Sequence, residues 1–151
     1  MKRKRSGFLT ALVLFSCVSC ATAGEDFSGL WSYRKDCGFG HMASLDIRQE
    51  ARLLVGSWSD GSRVGGDAGQ LRGDVNGKGA SVQFCSEVAQ PPDVACPAYQ
   101  DEGYLKRVGE QLVWYRLSGG KSVPYLTLDR IAPGGETPVD SSNCQEESSQ
   151  D

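Results

Sequence analysis

The sequence is poor in the side chains from which catalytic and metal sites are most often built. It has one histidine, His41, among 151 residues, and no G-x-S-x-G nucleophile motif accompanies it. Beyond residue 23, the cysteines are too far apart to form the close ligand pairs of a structural zinc site. The glycine pairs precede no helical pattern, which a phosphate-binding loop requires. We therefore predict that the protein is not an enzyme and uses no metal or cofactor, and that His41 is a surface residue of a loop.

A hydrophobic run long enough to span a bilayer is also lacking. The longest run, residues 8–18, follows a basic start at residues 2–5 and precedes the small residues Ala21-Thr22-Ala23. This order of segments is typical of a secretory signal peptide. We predict that residues 1–23 are removed and that the protein is periplasmic or secreted.

A lipid anchor is the alternative to simple cleavage. The residues before Cys17 and before Cys20 each resemble a bacterial lipobox, in which the cysteine is acylated and becomes the new N-terminus. Under either alternative the chain is exported, and no membrane-spanning segment is predicted.

Basic residues are scarce in the mature chain. Cleavage after Ala23 removes four of them and leaves 12 Lys and Arg against 19 Asp and Glu, a formal charge of −7. Nucleic-acid-binding proteins present a basic surface, and peripheral membrane helices present a basic face. Because this chain shows neither pattern, we exclude nucleic acid and predict one acidic domain.

Four cysteines remain after cleavage, namely Cys37, Cys85, Cys96 and Cys144. An even number in an exported chain is typical of a disulfide framework. Their spacing does not determine the pairing. A bond between Cys85 and Cys96 would close the intervening segment at its base and contribute about 3 kcal/mol in the chain-entropy model.

Short alternating apolar runs, separated by Gly, Asn and Asp, fill the chain from residue 24 to residue 131. Eight strands are predicted, near residues 29–33, 42–49, 53–58, 69–75, 80–85, 99–108, 111–117 and 124–131. We predict an all-β fold, an eight-stranded antiparallel up-and-down barrel, with a two-sheet β-sandwich as the alternative. Residues 132–151 are rich in Pro, Gly, Ser and acids, which predicts a flexible tail.

The predicted topology places alternate connections at opposite ends of the barrel. The connections after the first, third, fifth and seventh strands, residues 34–41, 59–68, 86–98 and 118–123, share one end and are the longer ones. Long loops often carry binding residues, although tolerated insertions are the alternative. We predict the binding site at this end, the mouth, with the following residues: Ser62, Arg63, Asp67, Gln90, Pro91, Pro92 and Asp93.

A G-x-W motif, Gly29-Leu30-Trp31, begins the first strand, and Arg130 lies on the last strand. This combination resembles the calycin pattern of lipocalins and avidins. The resemblance implies that Trp31 closes the floor of the barrel and that Arg130 packs over its ring, a cation–π contact of about 0.5–2 kcal/mol. Both residues are then structural and contact no ligand.

A fainter similarity, through Ser59-Asp60-Gly61-Ser62-Arg63, is to the periplasmic barrels that inhibit lysozyme. We predict an exported, non-catalytic inhibitor of a periplasmic or secreted hydrolase, a cell-wall lytic enzyme or a toxin, whose basic surface would suit this acidic chain. One alternative is a small ligand inside the barrel, among residues 58, 84, 114 and 115. Another is an envelope structural protein with no discrete site.

Overall fold

The computed structural model describes residues 25–87, 96, 99, 101–142 and 144. Its eight strands are β1 (Gly29–Lys35), β2 (His41–Glu50), β3 (Leu53–Ser62), β4 (Gly65–Asn76), β5 (Gly79–Ser86), β6 (Asp101–Val108), β7 (Gln111–Ser118) and β8 (Lys121–Ile131). Each strand pairs antiparallel with the next, and β8 pairs with β1, so the sheet closes. The predicted up-and-down barrel is confirmed and the sandwich alternative is wrong. Within the described ranges, no helix could cross a membrane.

The two ends of the barrel differ in their connections. One end, the base, has two-residue turns at 51–52, 77–78 and 109–110. Gly77 and Gly109 adopt φ angles of 63° and 61°, the left-handed region that tight hairpin turns require and that glycine enters without steric cost. At the mouth, the connections are residues 36–40, 63–64, 87–100 and 119–120. Two mouth connections are therefore long, where the sequence predicted four.

The predicted loop at residues 59–68 is a continuation of two paired strands. β3 and β4 remain in register as far as Ser62 and Gly65, which leaves Arg63 and Val64 as a two-residue turn. A Cβ on Gly66 would lie 2.8 Å from the Cα of Gly61, so the two backbones approach more closely than side chains would allow. Glycine here permits close strand packing, whereas the sequence pattern had indicated a loop.

Inward-facing apolar side chains fill the barrel from the base upward. The buried set of the lower layers includes Phe27, Trp31, Leu45, Leu54, Leu71, Val82, Leu105, Leu112 and Leu128. Above them, Trp58, Phe84 and Trp114 form an aromatic layer in which ring centroids are 5.1–6.4 Å apart. Tyr115 lies on the opposite face of β7 from Trp114 and packs against Tyr104. Among the described residues, apolar side chains thus pack the interior up to the aromatic layer, and the mouth lies above that layer.

Trp31 closes the base between two arginine side chains. The guanidinium carbons of Arg107 and Arg130 lie 4.6 Å and 5.0 Å from the centroid of the indole ring. The indole Nε1 donates a hydrogen bond to the carbonyl of Phe27 at 2.8 Å. Arg130 also pairs with Asp26 at 2.8 Å, and its hydrogen bond holds the pKa of that carboxyl below the ordinary value. The contact predicted between Arg130 and Trp31 is present, at the end of the barrel opposite the mouth.

Beyond β8, the chain turns back along the outside of β1 towards the mouth. Val139 forms a parallel bridge with Arg34, and the Asp140 amide donates to the Arg34 carbonyl at 2.7 Å. The Thr137 hydroxyl donates to Ser32 at 3.0 Å. The described part of the predicted flexible tail is therefore packed against the barrel.

Two disulfides hold the mouth connections. Cys37 is bonded to Cys144, which joins the returning tail to the β1–β2 connection. Cys85 is bonded to Cys96, which links the end of β5 to the β5–β6 connection. The predicted disulfide framework is confirmed, and it is typical of an oxidising environment outside the cytoplasm.

Candidate functional site

A layer of polar side chains lies above the aromatic layer, on the inner face of the barrel at the mouth. Most of its members are two residues further along their strands than a core residue, because alternate residues share a face. Asp60 follows Trp58 in this way, and Arg116 follows Trp114. We call this layer the mouth ring, and its described members are Tyr33, His41, Asp60, Asp67, Ser86, Arg116 and Tyr125.

Asp60 is the centre of the mouth ring. Its side chain is 9% exposed, and its oxygens lie 2.6 Å from His41 Nε2, 2.6 Å from the Tyr125 hydroxyl and 2.5 Å from Arg116 Nη2. The Arg116 guanidinium carbon is also 3.7 Å from the Tyr125 ring centroid. Burial, and then the hydrogen bond to Asp60, raise the pKa of Tyr125. Both carboxylate oxygens are engaged, so Asp60 serves to brace four strands against one another.

His41 occupies a different place from the loop position that the sequence predicted. It is the first residue of β2, its side chain is one-quarter exposed, and its ring contacts Asp60. The Tyr33 ring packs edge-on against it, with centroids 5.4 Å apart. The Tyr33 hydroxyl donates to Asp140 at 3.0 Å, which connects the mouth ring to the returning tail. His41 is therefore part of the mouth ring, and the prediction of a surface loop residue is wrong.

Asp67, a predicted binding residue, lies in the mouth ring directly opposite Asp60 in the β3–β4 register. Its Oδ1 accepts hydrogen bonds from the Ser86 hydroxyl at 2.6 Å and from the Ala68 amide at 2.7 Å. Both donors are uncharged. The negative charge of Asp67 is therefore oriented by these contacts and left without a cation among them.

Arg63 and Ser62, also predicted to bind, make contacts within the chain. The Arg63 guanidinium donates to the carbonyls of Asp36 at 2.7 Å and Gly38 at 3.3 Å, and its amide donates to the carbonyl of Phe39 at 2.9 Å. The Ser62 hydroxyl donates to the Gly65 carbonyl at 3.4 Å. Arg63 thus fixes the β3–β4 turn to the β1–β2 connection, which is a positioning role.

Two depressions open at the mouth and share Asp60 and Asp67 in their walls. The larger, which we call the mouth depression, has a volume of about 660 Å³. Its floor is the aromatic layer, and its charged lining residues are Asp60, Asp67, Glu102 and Arg116. The Trp58 indole donates to the Cys85 carbonyl at 3.1 Å, which ties this floor to the disulfide-closed connection.

Several predicted residues lie outside the described part of the chain. These are Gln90, Pro91, Pro92 and Asp93, which follow β5 in the sequence, and Cys17 and Cys20, the candidate lipid-anchor positions. Among the described residues, no group of three or more His, Cys, Asp or Glu side chains could hold a metal ion.

No protein-family model matches this chain, and neither a curated protein nor a solved structure is significantly similar to it. Because a β-barrel hosts many unrelated functions, the function has to be argued from the mouth itself.

Proposed function

We propose that this is an exported, non-catalytic binding protein that docks a protein partner at the mouth and thereby inhibits a periplasmic or secreted hydrolase. The main support is a pair of exposed apolar side chains on two connections that are hydrogen-bonded to each other. Phe39 is 74% exposed and Val64 is 77% exposed, and both lie on the segments that Arg63 joins. Large exposed apolar residues on pre-ordered loops lose little entropy on docking, and aromatic side chains are enriched in interface cores.

The surroundings of this pair support a protein partner. The Cys37–Cys144 disulfide holds the connection that carries Phe39. Met42, the second residue of the adjacent β2, is 58% exposed. The Cys85–Cys96 disulfide bonds the end of β5 to residue 96 of the neighbouring connection. A restrained, partly apolar rim around an acidic centre is suited to a basic enzyme such as a cell-wall lytic hydrolase or a toxin.

The mouth ring supports a non-catalytic role. A general base needs a lone pair directed at the substrate. The oxygens of Asp60 already face three donors, among them His41 Nε2. The Ser86 hydroxyl donates a hydrogen bond to Asp67. The contacts of Asp60 favour a structural use of this carboxylate over proton transfer.

The test is capture and inhibition with paired variants. The immobilised mature protein is exposed to periplasmic extract and to a panel of cationic cell-wall hydrolases, and the activity of each captured hydrolase is assayed. The double variant Phe39→Ser/Val64→Ser should lose at least tenfold in affinity and inhibition. The matched control, Leu53→Ser/Val108→Ser, alters side chains that are 60% and 51% exposed at the base, and it should bind as the wild type does. Equal effects of the two double variants, or no inhibited hydrolase, would contradict the proposal.

A small ligand at the mouth is the second candidate, because a depression of about 660 Å³ above an aromatic floor falls in the size range of ligand sites. Native mass spectrometry of freshly purified protein tests it, since a retained ligand adds a defined mass. An envelope structural role without a discrete site predicts that neither experiment yields a bound molecule.

A further inference from the structure

We infer that the mouth depression accepts a cationic group, a primary ammonium or a guanidinium, with Asp67 as its counter-ion. The inference deepens the proposed function by assigning a lysine or arginine side chain of the partner to this site, and it rests on that proposal for the source of the cation.

The charge balance of the mouth depression favours a cation. Its lining contains three carboxylates, on Asp60, Asp67 and Glu102, and one guanidinium, on Arg116, a formal charge of −2. Arg116 is paired with Asp60 at 2.5 Å, so these two groups offset each other. Glu102 is exposed and lies on the outer face of β6, because Gly103 and Leu105 take the inward positions. The charge of Asp67 therefore remains without a cation among its hydrogen-bond donors in the described part of the chain, and an unbalanced negative charge in a partly enclosed site attracts cations and repels anions.

The aromatic floor suits both the charged end and the apolar stem of a lysine or arginine side chain. Trp58, Phe84 and Trp114 line the depression, and the face of an aromatic ring attracts ammonium and guanidinium groups. The apolar stem of a lysine or arginine packs on apolar walls while its charged end reaches a polar partner. The barrel already makes this contact with its own side chains, since Arg116 lies 5.1 Å from the Trp114 ring centroid.

The floor also contains an unpaired donor. Trp114 is 1% exposed, and its indole Nε1 has no acceptor among the described residues. Because this nitrogen is buried beneath the surface of the depression, it does not identify the carrier of the cation, and the assignment to a polypeptide side chain rests on the proposed function.

The first experiment is an NMR titration of the full mature protein with Nα-acetyl-lysine methylamide and with the uncharged Nα-acetyl-norleucine methylamide. The lysine compound should shift the indole signals of Trp58 and Trp114 saturably, and the norleucine compound should not. Asp67→Asn keeps an oxygen for Ser86 and Ala68, so the fold should persist while affinity falls at least fivefold. Asp46→Asn, the same charge change at an exposed outer position, is the control and should leave affinity unchanged. Equal binding of the two compounds, or no effect of Asp67→Asn, would overturn the inference.

The second experiment separates the two sources of the cation and separates this inference from the proposed function. If Asp67→Asn weakens capture of the hydrolase tenfold and Asp46→Asn does not, the cation is a partner side chain. If native mass spectrometry instead shows an amine that the wild type retains and Asp67→Asn loses, it is a free amine. Capture that depends on Phe39 and Val64 but not on Asp67, without lysine binding, would overturn the inference and leave the proposed function standing. Lysine binding without any captured hydrolase would support the cation site and contradict the proposed function.

Discussion

Asp60 and Asp67 face each other across the β3–β4 ladder at the mouth, and their surroundings give them different roles. Asp60 is 9% exposed and is paired with Arg116 at 2.5 Å. The donors to Asp67 are the Ser86 hydroxyl and the Ala68 amide, which carry no charge. The pair thus consists of one carboxylate that is paired with a cation and braces the barrel, and one whose hydrogen-bond donors among the described residues are all uncharged.

The different roles of these two carboxylates predict different stability effects. In Asp60→Asn, the amide nitrogen must face one of three donors, and Arg116 loses its counter-ion. We therefore expect a loss of about 1–3 kcal/mol in the free energy of unfolding. Asp67→Asn keeps its oxygen acceptor and should lose less than about 1 kcal/mol. Urea denaturation at neutral pH measures both values, and an equal loss in the two variants would contradict the assignment.

Alkaline pH should reveal the burial of Tyr125. Its pKa is raised, first by burial and then by the Asp60 hydrogen bond. A folded pKa above the unfolded value of about 10 stabilises the protein fully below that pH, and the contribution is lost as pH rises through the folded pKa. Near pH 10.5, about half a unit above that value, wild-type and Tyr125→Phe proteins should show the same tyrosinate absorbance at 295 nm while folded. A difference should appear once urea unfolds them. A difference already present in the folded proteins would show that Tyr125 is accessible.

Arg130, which lies over the Trp31 ring at the base, should contribute measurably to stability. Arg130→Met keeps an apolar side chain near Trp31 but removes the cation–π contact and the ion pair with Asp26. A loss of about 1 kcal/mol is expected from the cation–π contact. Arg48→Met, at a side chain that is 73% exposed, is the control and should cost about 0–1 kcal/mol. Thermal unfolding of both variants measures the difference. An unchanged unfolding temperature in Arg130→Met would mean that the contact with Trp31 does not stabilise the base.

Removing the disulfides one at a time should rank them by the loop that each closes. Cys37 and Cys144 are 107 residues apart, and Cys85 and Cys96 are 11 apart. The chain-entropy model gives about 5 kcal/mol for the former loop and about 3 kcal/mol for the latter. Cys37→Ser/Cys144→Ser should therefore unfold at lower urea concentration than Cys85→Ser/Cys96→Ser. The opposite order would show that the clamp at the β5–β6 connection supports the aromatic floor more than the returning tail supports β1.

The barrel fold and the assignment of its connections to two ends were predictable because both depend on local sequence patterns. The alternation of Leu45 and Ile47 with charged residues defined β2, and similar alternation defined the other strands. The count of eight strands with short turns then fixed which connections share an end. The hairpin at residues 59–68 was missed because its glycines also permit close strand pairing, and a single sequence does not distinguish the two uses.

The mouth ring was predictable only in part. Continuing the inward alternation two residues past Trp58 and Trp114 would have reached Asp60 and Arg116. The same reasoning could not have found Tyr125. Because Leu126 points inward, simple alternation predicts that Tyr125 lies on the outer face. A register shift between β7 and β8 leaves Tyr125 between the pairs Trp114–Leu126 and Tyr115–Pro124, and its hydroxyl reaches Asp60. β-Bulges are common at the rims of barrels, and the alternation pattern of a single sequence does not reveal where one occurs.

Hydrogen–deuterium exchange of the complex with a captured hydrolase shows whether the partner binds at the mouth. If it does, exchange should slow at residues 36–40 and 63–64 and stay unchanged at the base turns, residues 51–52, 77–78 and 109–110. Slowed exchange at the base turns, with the mouth connections unchanged, would contradict binding at the mouth.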